Sequence, residues 1–145
     1  MNALSTKHRW VASGAVLLVA SVLSATLAVR ATGQDTGAMV KPVFTQMLPN
    51  VPGKSLTAMV VTYAPGGKSE KHHHAGSVFA YVLSGAIRSE NSASGPAKVY
   101  VAGEAFFEPP GSEHLVSENA STTEPASLLA VFVADDGAKL TTFDK

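Results

Sequence analysis

The sequence predicts an all-β domain behind an N-terminal export segment. Three observations carry that expectation. Past residue 31 the chain is a series of short apolar runs separated by Gly- and Pro-rich turns. No stretch there keeps a helical repeat of apolar residues over 11 or more positions. With 145 residues, 46% of them hydrophobic and 15% charged, the chain has length for one compact domain and too much apolar content for general disorder.

The elements follow in order. The stretch 31–38, ATGQDTGA, is small and polar and reads as a linker. Pro42 to Leu48 is a first strand, closed by Pro49-Asn50-Val51-Pro52-Gly53. Ser55 to Ala64 is rich in valine and threonine and stops at Pro65-Gly66-Gly67. Val78 to Leu83 is a buried strand ending at Ser84-Gly85, and Ala86 to Glu90 continues after that turn. The stretch 92–97 is a loop. Lys98 to Val101 and Ala105 to Glu108 flank Gly103, and Pro109-Pro110-Gly111 turns the chain again. Leu115 to Glu118 and Ser127 to Ala134 complete the set. Many short strands of this kind make a sandwich or a barrel. Gly66-Gly67, Gly85 and Gly111 are expected at turns that need positive backbone angles.

Residues 1–31 belong to a different class. Lys7, His8 and Arg9 form a basic head, Trp10 to Val29 carry no charge, and Arg30 ends the run. Small residues follow at Thr26-Leu27-Ala28 and Val29-Arg30-Ala31, where a signal peptidase would cut. An uncleaved anchor is the rival reading, because about 20 apolar residues span a bilayer. The many Ala and Ser residues weaken that span and favour a cleaved signal peptide. Both readings place the rest of the chain outside the cytoplasm, as a periplasmic, secreted or membrane-anchored domain. The organisation is then 1–31 signal or anchor, 32–53 linker and N-terminal strand, and 54–145 barrel.

Charge and cysteine content narrow the function classes. Eleven basic and eleven acidic residues give no basic excess for nucleic acid. Without the leader, eight basic residues face eleven acidic ones. The absence of cysteine excludes disulfides, thiolate metal sites and a cysteine nucleophile.

The chemistry concentrates in histidine. Four of the five histidines fall in two places, His72-His73-His74 and His114. In an extended strand His72 and His74 share a face and His73 takes the other. Two imidazoles from one strand and a third from a neighbour can form a facial metal site. A solvated histidine loop is the plain alternative, and the glycines framing both groups weigh against it.

That framing resembles the cupin family. Gly66, five residues, His72, one residue, His74, three residues, Val78, six residues and Gly85 resemble its first motif. Gly103, five residues, Pro109-Pro110-Gly111, two residues and His114, with Asn119 behind, resemble its second. Seventeen residues separate the two, near the short end for small single-domain cupins. The resemblance covers about Lys54 to Ala134. It implies a small antiparallel jelly-roll barrel with a divalent transition metal (Fe, Mn, Zn, Ni or Cu) held by His72, His74 and His114. It also implies a small-molecule ligand and a homodimer, with the strand Val43 to Leu48 as the segment to pair with a second subunit.

One departure matters. Val78 stands where the family's first motif has a glutamate ligand, and valine cannot coordinate. A three-histidine site, as in cysteine dioxygenase, or a substitute carboxylate is then required. Glu108, on the strand entering the Pro109 turn, is one candidate; Glu70, with the strand parity of His72 and His74, is the other. A solvated edge carboxylate is the plain reading of each. Asn119 lies one position later than the family spacing. Tyr81 is a candidate for orienting substrate through its hydroxyl, with core packing as its ordinary role.

Two function classes remain. In the first, the metal serves an oxygenase-type reaction resembling that of quercetinase and other small cupin dioxygenases, with Glu108 or Glu70 as base. In the second, an exported cupin binds a small molecule or metal without turnover. An open coordination position with a base in reach separates them, and kinship of fold does not.

Overall fold

The computed structural model describes residues 36–144, so the signal or anchor segment expected over 1–31 lies outside the described residues. Within them there are eleven strands and no helix. They are β1 (Ala38–Met47), β2 (Lys54–Tyr63), β3 (Lys68–Ser69), β4 (His72–His74), β5 (Ser77–Ser84), β6 (Ala86–Asn91), β7 (Gly95–Val101), β8 (Ala105–Glu108), β9 (Glu113–Asn119), β10 (Ala126–Asp135) and β11 (Thr141–Phe143). All pairings are antiparallel. One sheet runs β1-β2-β10-β5-β8; the other runs β11-β4-β9-β6-β7, with β3 also paired to β9. Two antiparallel sheets of this kind are the jelly-roll arrangement expected from the sequence.

Alternation sets what each sheet turns inward. In β5 Val78, Ala80 and Val82 are buried while Phe79, Tyr81 and Leu83 are exposed, and in β10 Ala126, Leu128, Ala130, Phe132 and Ala134 are buried. With Tyr63 of β2 and Ile87 of β6 these residues form the core. Fully burying a side chain of valine, leucine or phenylalanine size contributes about 1.5–3 kcal/mol, and this inward row is the main source of cohesion.

Differences from the expected elements have local causes. β1 starts at Ala38, inside the stretch expected to be linker, because its backbone pairs with β2 along the whole length. Pro42 cannot donate to a ladder, yet it is tolerated here: β1 is an edge strand, and its register shifts between Pro42 and Phe44. β7 begins at Gly95, within the expected loop. β3 and β11 are two and three residues long and carry no apolar run, so only their partners β9 and β4 make them strands. Gly85 has φ 68°, as its turn requires. Gly67 does not adopt a positive angle; a side chain there would strike the backbone oxygens of Gly37 and Ala64.

Candidate metal centre

β4 and β9 bring the histidines together. His72 lies opposite His114 in the β4–β9 register, and His73 lies opposite Glu113. His72, His74 and His114 are buried and face one cavity. His73 points the other way, half-exposed, with Nδ1 3.2 Å from Asp144 Oδ1. Each of the three inward imidazoles offers one nitrogen, and these atoms all lie within 4.8 Å of one another. Phenylalanines pack on them: Phe143 on His72, Phe132 on His74 and Phe106 on His114, with ring centroids 5.5, 5.1 and 6.1 Å apart.

Hydrogen bonds fix the tautomers of two rings. His72 Nδ1–H donates to the carbonyl of Glu70 (2.6 Å), and His74 Nδ1–H donates to the carbonyl of Leu140 (3.1 Å). A carbonyl only accepts, so both protons sit on Nδ1 and the Nε2 lone pairs are left for a ligand. Thr141 Oγ1 stands 3.2 Å from the same His74 nitrogen. His114 has side-chain neighbours besides a backbone hydrogen bond at Val116: Nε2 is 2.9 Å from Ser89 Oγ and Nδ1 is 3.2 Å from Glu108 Oε2.

Burial keeps these groups uncharged. His114 is pushed down to about 3, first by loss of water and then by repulsion from His72 and His74. His74 is pushed down to about 4, again by burial first and then by His72. Burial also lowers His72, against the opposing hydrogen bond to Glu70. Neutral imidazoles are the form that binds metal, so the donor set fits a divalent transition metal.

Glu108 completes the cluster. It is 3% exposed, and its Oε2 lies 3.2 Å from His114 Nδ1 and 3.8 Å from His74 Nε2. Asn91 Nδ2 donates to the same oxygen at 3.2 Å. Burial pushes its carboxyl up to about 7, opposed by the Asn91 hydrogen bond. These are ion-pair distances, but imidazoles this hard to protonate stay neutral, so neither contact is a salt bridge. Val78 is the cross-strand partner of Glu108 in the β5–β8 register and lines the same cavity. The carboxylate absent from position 78 is thus present one strand over.

Two expected site residues lie elsewhere. Tyr81 is 38% exposed and does not line the cavity. It shares strand parity with Phe79, so with Val78 turned inward it must turn outward. Glu70 is exposed, because the chain bends between β3 and β4 and strand parity does not carry across; it contributes its carbonyl to His72 rather than its carboxylate. Asn119 is buried but ties a loop: Nδ2 donates to the carbonyls of Ala64 (3.0 Å) and Glu124 (2.7 Å), and Oδ1 accepts from Ser121 N.

Sequence reasoning missed Ser89, Asn91 and Tyr63. Tyr63 is 2% exposed, and its hydroxyl shares hydrogen bonds with Ser69 Oγ (2.9 Å) and Ser117 Oγ (2.7 Å) in the cavity wall. The cavity holds about 80 Å3 for the centres of water-sized molecules. Among the described residues neither lysine nor arginine lines it.

Among solved structures, a double-stranded β-helix protein from Klebsiella pneumoniae is similar at 19% identity, covering 78% of this chain and 89% of that one, with a TM-score of 0.58. Oxalate oxidase is similar at 22% identity over 75% of this chain and 56% of that one, with a TM-score of 0.59. A Bacillus subtilis oxalate decarboxylase is similar at 28% identity over 61% of this chain and only 23% of its own length, with a TM-score of 0.51. This chain therefore spans about half of the oxidase and a quarter of the decarboxylase. No curated protein matches it in sequence. The cupin domain model matches residues 59–132, from mid-β2 to mid-β10 and across all three histidines, and the chain belongs to the cupin family.

Proposed function

We propose that this chain is an exported metal-dependent enzyme of the oxygenase type, with His72, His74 and His114 as metal ligands and Glu108 as the acid–base group. The observation that carries it is a buried carboxyl, with proton affinity near neutrality, in contact with two of three neutral imidazoles. A bound divalent metal would supply Lewis acidity toward a substrate oxygen. The chain supplies the rest. The apolar walls exclude water, and Asn91 Nδ2 orients Glu108 Oε2. Glu108 takes a proton from the ligand and returns it, the task for which a carboxyl is tuned toward pH 7.

Glu108→Gln tests this reading, because the amide keeps the shape and removes the proton carrier. Metal content should hold while oxygen uptake against a panel of enediols and phenols falls about 10²–10⁴-fold. Loss of metal instead makes Glu108 a fourth ligand, and absence of uptake by the metal-loaded parent favours a binding protein without turnover. Export predicts a mature start near Thr32 or Val29 by mass spectrometry of the natural protein; an intact Met1 in a cytoplasmic fraction overturns it.

A homodimer belongs to the same proposal. β1 pairs only with β2 among the described residues, and Met39, Val40, Val43, Phe44 and Met47 on it are exposed. An apolar edge strand invites a second copy. Sedimentation should report a dimer that Phe44→Lys dissociates; a monomeric parent removes this part of the proposal.

A further inference from the structure

Tyr63, Ser69 and Ser117 line the same cavity as the three histidines. Ser69 comes from β3, Ser117 from β9 and Tyr63 from the end of β2 in the facing sheet. The three hydroxyls carry three protons, and they make two hydrogen bonds, Tyr63 to Ser69 and Tyr63 to Ser117. Neither serine side chain bonds any other group among the described residues. Whichever way the hydroxyls rotate, one O–H proton is left without an acceptor. Tyr63 and Ser117 are buried and Ser69 is half-buried, so the spare proton meets either water beside Ser69 or, within the cavity, an acceptor brought by a ligand.

From this count we propose that the Tyr63–Ser69–Ser117 cluster is a hydrogen-bond-donating subsite for a second oxygen of a small ligand whose first oxygen sits at the histidine centre. The proposal rests on that centre holding metal. The chemistry of the walls limits the class of ligand. With no lysine or arginine among the described residues of the lining, a second carboxylate would be buried there without a cation, whereas a carbonyl or hydroxyl needs only the donor. A cavity of 80 Å3 takes about four to eight non-hydrogen atoms, taking about one water-sized sphere for each. The subsite therefore selects a small, at most singly charged compound with two separated oxygen functions.

Calorimetric titration of the zinc-loaded protein tests this. The probes are butyrate, the keto acids pyruvate, acetoacetate and levulinate, which move the carbonyl one carbon at a time, and succinate. At least one keto acid should bind about five- to tenfold more tightly than butyrate, the worth of one neutral hydrogen bond, and succinate should gain nothing. In Tyr63→Phe/Ser117→Ala, which removes both buried partners together, the keto-acid advantage should vanish while zinc content and butyrate affinity hold. If the double variant does not fold, Tyr63→Phe alone carries the comparison. An advantage that survives in the variant, no keto acid exceeding butyrate on zinc-loaded parent, or succinate binding best would overturn the subsite. Failure of the parent protein to take zinc would instead overturn the metal centre, and the anchored ligand with it.

Discussion

The two walls of the cavity differ in chemistry. From β5 and β10 come Val78, Ala80, Leu128, Ala130 and Phe132, an apolar row; from β3, β4 and β9 come Ser69, His72, His74, His114 and Ser117. The apolar sheet contributes two polar side chains, Tyr63 and Glu108, and each reaches across to the other sheet. Tyr63 meets Ser69 and Ser117, and Glu108 meets His114, His74 and Asn91. One wall thus supplies desolvation and the other the groups it acts on. Among the described residues desolvation is the first cause of these proton-affinity displacements: down for His72, His74 and His114, up for Glu108 and Tyr63.

The largest expected effect tests the polar wall. Alanine at His72, His74 or His114 should each weaken divalent-metal binding beyond the roughly 10–100-fold that loss of an outer hydrogen-bond partner costs. His73→Ala should leave it unchanged, because that ring faces Asp144 on the outside. Elemental analysis with chelator competition measures both, and equal losses from all four changes would mean an unspecific histidine cluster.

Next comes the apolar wall. Val78→Glu puts a second carboxyl beside Glu108 in the same cavity. The metal-free protein should lose about 2–4 kcal/mol from overpacking and burial of a polar group. The metal-loaded form should recover that loss, because the added carboxylate faces the histidines. Thermal melts with and without metal should therefore separate more widely than in the parent. Equal melting shifts in both states would make Val78 ordinary core.

How far this contrast was legible depends on the kind of signal. His72, His74 and His114 were readable because period-2 alternation and turn glycines are local. Glu108 was readable for the same reason, as it lies next to the Pro109 turn. Tyr81 was open to correction from sequence alone: three positions from Val78 on one strand, it cannot share Val78's face. Tyr63 carried no mark, since its meaning comes from Ser69 and Ser117, one of them 54 positions away. Ser89 and Asn91 were hidden likewise, because only the β6–β9 pairing brings them to the site. The main strands followed from apolar runs, whereas β3 and β11 exist only through their partners.

Titration of the metal-free protein sharpens the contrast by sign. Histidines whose folded proton affinity is lowered contribute stability that is present above pH 6.5 and is lost as pH falls toward about 4 for His74 and about 3 for His114. Glu108, raised, contributes stability that is present below pH 4.5 and is lost as pH rises through about 7. Displacements of this size are worth about 3–5 kcal/mol each when fully expressed. Denaturant unfolding should show stability climbing from pH 4 to about 6 and flattening or falling toward 7. In Glu108→Gln the climb should continue to 7; an unchanged curve would mean that Glu108 is already ionised at low pH.

The smallest effect concerns how the three rings are held. His72 and His74 pair Nδ1 with backbone carbonyls, which no side-chain substitution removes, whereas His114, besides a backbone hydrogen bond at Val116, has Ser89 on its Nε2. Ser89→Ala should therefore weaken metal binding about tenfold, by leaving His114 Nε2 without its side-chain neighbour. Thr141→Val should cost much less, because the Leu140 carbonyl still holds His74 Nδ1–H. Competition titrations on the two variants give the ratio directly. If Thr141→Val proves the more damaging, the carbonyl at 3.1 Å is not the group that fixes His74, and the expected difference between His74 and His114 fails with it.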